Sequence, residues 1–385
     1  QDGRYLLDDF TVTHNCGKTV LLAHVAESYA RRGERVLVIA HREELLQQAR
    51  EKIGRWTGLD IGLERAGDTP RRVRGRGLYG DEEIPPIVVA SIQTISQPKR
   101  LATWPAGEFG IVIVDEAHHA LAGTYQRVLA YFADAKVLGV TATPDRADEL
   151  AMGQVFDSVA HVYDIRAAIG DGFLVPLRQH AVFVDGLDFS AVRTTAGDMN
   201  QGDLDQIMRE ERHLHAVAGP IFDLAGSRPT LTFAASVEHA RLLSDQFDRR
   251  RVGCSRWLSG ETDSTERASV LREFAAGKFQ HLVNCQLFLE GFDEPTIQCV
   301  AVARPTKSRA FYAQMVGRGT RLSPGKDDLL ILDFLGNAGR HKLCSPLDIL
   351  GGDMTPVELD QADELRLKNP GMTVDKIKDA IRQGG

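Results

Sequence analysis

From Thr19 onward, short apolar runs alternate with amphipathic stretches of helical period, and this alternation is what most constrains the fold. An amphipathic stretch to Arg31 is followed by Val36-Leu-Val-Ile-Ala40, a helical stretch from Glu43 to Ile53, and the run Ile87-Val-Val-Ala90. Strands that are apolar on both faces and separated by helices belong in a parallel sheet covered on both sides. Ile111-Val-Ile-Val114 and Val137-Leu-Gly-Val140 read as two further buried strands, each ending at a polar cluster. Ligand groups gather at such carboxyl ends in open α/β sheets. A second alternation starts at Thr230-Leu-Thr-Phe233, passes a helix from Val237 to Asp248, and returns at His281-Leu-Val-Asn284 and Val300-Ala-Val302. Between the two, the stretch from about Val162 to Ser227 reads as a less regular connection. Gly170-Asp-Gly172, Asp185-Gly-Leu-Asp188 and Gly197-Asp-Met-Asn-Gln-Gly202 all carry turn chemistry. The tail from Gly351 to Gly385 is polar and helix-prone, with a helix expected from Thr373.

A chain of 385 residues, 43% hydrophobic and 26% charged, has room for two ordinary buried cores. It has no apolar run long enough to span a bilayer and no secretory pattern, so the cytoplasm is the default location and no membrane partner is expected. Cysteines at 16, 254, 285, 299 and 344 lack zinc-site spacing, and their odd number argues against a disulfide framework. A net charge of −7 gives no global attraction to nucleic acid, so phosphate binding would need local patches and main-chain donors. The first residue is Gln1 rather than Met, which suggests a start inside a longer coding sequence or at a processing site.

Gly17-Lys18-Thr19 opens a helix and matches the back half of a phosphate-binding loop, with Lys18 on the β/γ-phosphates and Thr19 on Mg²⁺. Asp115-Glu116-Ala117-His118 directly follows an apolar strand, which sets two carboxylates at a strand's carboxyl end. Asp115 can hold Mg²⁺ through water, and Glu116 can orient and deprotonate an attacking water. The bland alternative is a solvated acidic turn with His118 and His119 exposed. A two-histidine zinc site is disfavoured, because adjacent histidines point differently and further ligands are missing. Arg318 and Arg321, three residues apart, would share one side if their segment is helical, and could then reach a γ-phosphate.

Asp115-Glu-Ala-His118, Thr141-Ala-Thr143-Pro144 and Gln314-Met-Val-Gly317-Arg318-Gly-Thr-Arg321 resemble motifs II, III and VI of superfamily 2 helicases, in the family's order. The resemblance spans residues 16 to 340 and is greatest to DEAH-type bacterial and phage helicases related to restriction-enzyme motors. It implies two RecA-like parallel-sheet α/β domains in tandem, with ATP and Mg²⁺ in a cleft between them. It also implies Gln314, Arg318 and Arg321 as catalytic partners of Asp115 and Glu116, and His118, Thr141 and Thr143 as links between ATP state and strand binding. Leu289-Glu-Gly291-Phe-Asp293 resembles motif V, whose Gly291 and Asp293 would serve the nucleotide, although the family has Thr where this chain has Leu289. Ala40-His-Arg42-Glu-Glu-Leu45 and Ser91-Ile-Gln-Thr94 resemble motifs Ia and Ib, making Arg42, Ser91 and Thr94 candidates for sugar-phosphate contact. Phe233-Ala-Ala-Ser236 resembles motif IV, with Arg304-Pro-Thr-Lys307 at a later strand's exit. Arg71-Arg-Val-Arg74-Gly-Arg76 is a basic loop that is as readily solvated as bound to phosphate.

The phosphate loop departs from the family pattern, which requires small residues where Val12 and Asn15 stand. Residues 1–15 also lack the expected preceding strand and adenine-reading Gln. They look instead like the C-terminal splice junction of an intein, with His14 assisting cyclisation of Asn15 and Cys16 accepting the upstream segment. The expected organisation is an intein remnant at 1–15, an ATP-binding domain at 16–165, a lead-in at 166–227, a helicase C-terminal domain at 228–345 and a helical tail at 346–385. The expected activity is ATP hydrolysis coupled to movement on DNA, with RNA the less favoured alternative, in a bacterial or phage-infected cell. The rival expectation is a non-catalytic ATP-gated clamp or an inactive fragment.

Overall fold

The computed structural model describes residues 4–9, 18–41, 43–68, 73–74, 82–141, 153–163, 165–195, 197–285, 287, 294–337, 343–345, 347, 354, 356–369, 372 and 374–384. The chain divides into two compact units, Gln1–Asp164 and Ile165–Gly385. Among the described residues no helix is long and apolar enough to cross a membrane.

The strands of the first unit are β1 (Arg4–Asp9), β2 (Arg35–Ala40), β3 (Ile61–Glu64), β4 (Val73–Arg74), β5 (Glu82–Glu83), β6 (Ile87–Ser91), β7 (Phe109–Asp115), β8 (Lys136–Thr141) and β9 (Ser158–Tyr163). Apart from the small antiparallel β4–β5 ribbon, they form one sheet in the order β3-β6-β2-β7-β8-β1-β9, parallel throughout. The apolar runs are continuous because successive residues point to opposite faces and both faces are covered. Leu37, Ile39, Val88, Val112 and Val114 pack with Tyr125, Val128 and Phe132 of the helix Gly123–Tyr131 and the turn after it. Val36, Val38, Val89, Ile111 and Ile113 pack against Leu22 and Ala26 of the helix Lys18–Arg31 and Leu46 and Ile53 of the helix Glu43–Thr57.

Strand β1 corrects the expectation that no strand precedes the phosphate loop. Arg4–Asp9 pairs in parallel with both β8 and β9. Its apolar centre is only Tyr5-Leu6-Leu7, too short a run to announce a strand without its neighbours.

The second unit contains β10 (Leu177–Asp188), the ribbon β11 (Thr194–Thr195) and β12 (Asp198–Met199), then β13 (Thr230–Ala234), β14 (Ser255–Leu258), β15 (His281–Asn284), β16 (Cys299–Ala303) and β17 (Leu329–Asn337). The main sheet runs β10-β17-β16-β13-β15-β14 and is again parallel. The stretch expected to be irregular is ordered secondary structure. β10 is an edge strand of this sheet, and the helix Glu211–Ala225 packs with Val237–Arg250 on one face of it. The turn residues misled because Gly186, at φ 75°, lies inside β10, where the register along β17 shifts. In the tail, helices cover Pro356–Lys368 and Val374–Gly384.

Two histidines are sealed into the second core. The His281 ring lies nearly parallel to Phe247 at 4.4 Å between centroids and stacks with Phe222 at 5.7 Å. Burial, aided by Arg251, pushes its pKa down to about 4, and burial with Arg209 nearby pushes His239 down to about 3. An unfolded imidazole takes up its proton near pH 6.5, whereas these hold off until about 4 and 3. Stability is therefore greatest above pH 6.5 and falls as pH drops through the window below it. His281 alone accounts for up to about 3 kcal/mol of that loss. Replacing His281 by Leu is expected to flatten the dependence of the urea midpoint on pH between 6.5 and 4.

Candidate active site

Strand β7 carries Asp115 and Glu116 to the carboxyl edge of the first sheet through a run of buried residues. At Glu116 the chain turns into the left-handed region, φ 54° and ψ 60°, before the 3-10 helix Ala117–Leu121. Among the described residues Glu116 is the one non-glycine at positive φ. That conformation costs roughly 1–2 kcal/mol for an L-residue, and such strain concentrates where a side chain must be aimed. The Glu116 N–H donates to Asp115 Oδ1 at 3.0 Å, which offsets part of the cost. Both residues are buried, Asp115 at 9% exposure and Glu116 at 5%.

His118 stands beside Glu116 and the next strand. Its Nδ1 is 3.2 Å from Thr141 Oγ1 at the end of β8 and 3.5 Å from Glu116 Oε2. His119 touches His118 with ring centroids 4.1 Å apart and stacks on His41 at 4.7 Å. The histidines are half-buried, and the bland picture of two solvated rings does not hold. Ser91 ends β6 and its hydroxyl donates to Gln93 Oε1 at 2.7 Å, while the Gln93 amide donates to the His41 carbonyl at 2.7 Å. Ser91 and Thr94, expected at the strand-binding surface, are both buried. Sequence reasoning gave no role to His41 and Gln93, although both lie within the segments resembling motifs Ia and Ib, and took His119 only as an exposed neighbour of His118.

In the second unit the helix Arg309–Gly317 is capped by Ser308, whose Oγ accepts the Phe311 N–H at 3.2 Å. Gln314 lies half-buried on this helix. The helix stops at Gly317, with Arg318 as its cap and Arg321 in an extended bridge to Leu174. Arg318 and Arg321 therefore do not share a helical side, because the helix ends before both of them. Gly319 is tightly enclosed, since a Cβ there would lie 2.4 Å from Leu329 Cδ1. Both arginines are nevertheless buried, at 3% and 5% exposure.

Lys326 fixes this turn. Its Nζ donates to the Gly319 carbonyl at 2.6 Å and to the Pro295 carbonyl at 3.2 Å. Burial, with the Arg321 charge adding to it and Glu294 opposing, brings its pKa down to about 8. Asp198 plays the same part for the strand exit at Arg304. It accepts from Thr306 Oγ1 at 2.9 Å and the Lys307 N–H at 2.7 Å, and lies 3.5 Å from the Arg304 guanidinium, which also stacks over Phe311. Motif IV ends in a cap: Ser236 Oγ accepts the His239 N–H at 2.9 Å and bonds to Asp205.

Gly17, Arg42, Thr143, Gly291, Asp293, His14, Asn15 and Cys16 lie outside the described residues, as do Val12 and Leu289. Lys18 and Thr19 begin the helix Lys18–Arg31, and their side chains are likewise outside the description.

Residues 10–146 match the family model "Type III restriction enzyme, res subunit", and residues 216–323 match "Helicase conserved C-terminal domain". The chain carries a superfamily 2 helicase core. This core is related to restriction-enzyme motor subunits. A Saccharomyces cerevisiae protein named "Putative ATP-dependent helicase IRC3" is 30% identical over 370 residues, covering 91% of this chain and 51% of that protein. The chain thus spans about half the length of that relative. The structure of the ATP-dependent Type ISP restriction-modification enzyme LlaBIII bound to DNA matches 87% of this chain and 26% of its own, with TM-score 0.63 and 17% identity. Saccharomyces cerevisiae Dbp5 bound to RNA and ADP BeF3 matches 97% of this chain and 89% of its own, with TM-score 0.57 and 15% identity. At those identities the likeness is one of fold, two RecA-like domains in tandem. For the helicase core, Lys326→Met is expected to leave the Gly319 and Pro295 carbonyls without their donor. The loss should be about 2 kcal/mol of stability, measured by urea denaturation.

Proposed function

We propose that this helicase core hydrolyses ATP and uses the energy to move along DNA. The observation that carries the reading is the buried Asp115–Glu116 pair at the carboxyl end of β7, with Glu116 in a strained backbone conformation beside His118 and Thr141. Mg²⁺ would be held by Asp115 and Thr19, and when bound it supplies Lewis-acid stabilisation of phosphate charge. A carboxylate at a strand's end offers the hard oxygen donors this ion takes, and its partner carboxylate is left to act as a base. Glu116 takes the proton from the attacking water. Lys18 neutralises phosphate charge, and Gln314, Arg318 and Arg321 serve the same nucleotide. Gly17, Gly291 and Asp293 complete the nucleotide site in this reading, and Arg42 and Thr143 the strand-binding and coupling surfaces, with the buried Ser91 and Thr94 supporting the strand-binding segment from behind.

DNA is preferred over RNA because the first unit matches a restriction-enzyme subunit family and a DNA-bound restriction-modification enzyme shares the fold. Dbp5, with RNA bound, keeps RNA as the competing strand in any assay. The second reading is an ATP-gated clamp without turnover, favoured by Val12, Asn15 and Leu289 where the family pattern differs. The intein-remnant reading of residues 1–15 rests on His14-Asn15-Cys16, and the pairing of β1 with β8 and β9 weighs against it.

The test is steady-state ATP hydrolysis with and without single-stranded DNA. Under this proposal DNA stimulates turnover, and Glu116→Gln lowers it by roughly 10²–10⁴-fold with ATP still bound. Tight binding of ATP and DNA with no turnover would move the assignment to the clamp. A chain in which residues 1–15 are replaced by a family-like segment ending in Thr-Gly separates the loop question from the rest. Activity only in the replaced chain would support the intein reading, and equal activity in both would remove it.

A further inference from the structure

The motifs that resemble strand-binding elements and those that resemble nucleotide elements are joined in the first unit by a series of side-chain contacts and one bond to a main-chain carbonyl. At one end, Ser91 Oγ bonds to Gln93 and Gln93 Nε2 bonds to the His41 carbonyl, tying the exit of β6 to that of β2. In the middle, the His41 and His119 rings stack at 4.7 Å with an interplanar angle of 25°. His119 then meets His118 at 4.1 Å. At the far end, His118 Nδ1 lies 3.2 Å from Thr141 Oγ1 and 3.5 Å from Glu116 Oε2. The expected link between His118 and Thr141 accounts only for this last step. His41 and His119 belong to the exits of β2 and β7, whose sheet pairing reaches Ile39 and Val114, and the two rings extend the contact beyond it. A stack of two flat rings holds its partners in one relative orientation and resists a shift of either exit without the other.

From this geometry we infer that the His41–His119 stack, with Gln93 behind it, transmits nucleotide state from Glu116 and Thr141 to the strand-binding motifs at the ends of β2 and β6. His119 and Gln93 are assigned here as positioning residues, each acting by fixing a strand exit through the contacts given above. The inference rests on the motor reading given above. A packing role alone would make the same residues matter for stability but not for the energetic link between two ligands. That link is a coupling free energy, and it is reciprocal between the ligands. Contiguity alone does not establish it, and a double-mutant cycle on the coupling does.

The experiment measures the Kd of the full chain for a fluorescein-labelled oligothymidylate with and without the β,γ-imido analogue of ATP. In the wild type the analogue is expected to change the Kd by roughly fivefold or more. His119→Ala and Gln93→Ala should each shrink the ratio to below about twofold, and the double variant should shrink it no further. His119→Phe, which keeps a ring on His41, should restore most of the ratio. A wild-type ratio left intact in both alanine variants, or effects that multiply in the double variant, would overturn the inference while leaving the motor reading untouched. A wild type that binds neither ligand defeats the motor reading and the inference with it, and one that binds both without coupling defeats the inference alone. Should His119→Ala fail to fold, Gln93→Ala decides, since that side chain is exposed and its removal leaves the core intact.

Discussion

Parallel pairing is the constraint on which the site depends. When every strand of a sheet runs the same way, every carboxyl end falls on one edge, however far apart the strands lie in sequence. His41, Ser91, Glu116 and Thr141 are brought together in this way at the exits of β2, β6, β7 and β8. The apolar runs behind them supply the adhesion, and the polar residues are where each run stops. The strain at Glu116 is supported by that framework. A left-handed glutamate persists only because the strand before it and the 3-10 helix after it are both held, the first by its neighbours and the second by Ala117 and Ala120 in the core.

In the second unit longer-range anchors hold the connections at both edges of the sheet, the loop leaving β16 at the carboxyl edge and the turn entering β17 at the amino edge. Asp198, from a two-strand ribbon, holds the loop after β16, and Lys326 holds the turn that carries Arg318 and Arg321. A lysine whose burial lowers its pKa is an expensive fastener, and here it joins the Gly319 carbonyl, in the turn after the helix, to the Pro295 carbonyl, in the loop before β16. The turn is tight because Gly319 packs directly against Leu329, so the arginines' route is fixed by the absence of a side chain at Gly319.

The fold class and the two sheets were legible because burial on both faces writes itself as unbroken apolar runs, as in β2, β6 and β7. The pair Asp115–Glu116 was legible because it ends such a run. Three things were not. β1 has an apolar centre too short to stand out, β10 is punctuated by turn residues because it sits at an edge and bends at Gly186, and the helix before Arg318 ends sooner than a motif pattern suggests. The anchoring roles of Asp198, Lys326 and Gln93 depend on partners that only folding brings near, so no local pattern marks them.

The division of each central strand between two separate apolar clusters also limits how such a chain can change length. Odd and even positions of β7 belong to different cores, Val112 and Val114 to one and Ile111 and Ile113 to the other. One residue gained or lost within the strand would turn every later side chain to the wrong side and swing the acidic pair with it. Strands of this kind work as rulers of fixed length. Insertions and deletions in lineages that keep the core should therefore accumulate in the connections, while the interval from Phe109 to Glu116 stays constant.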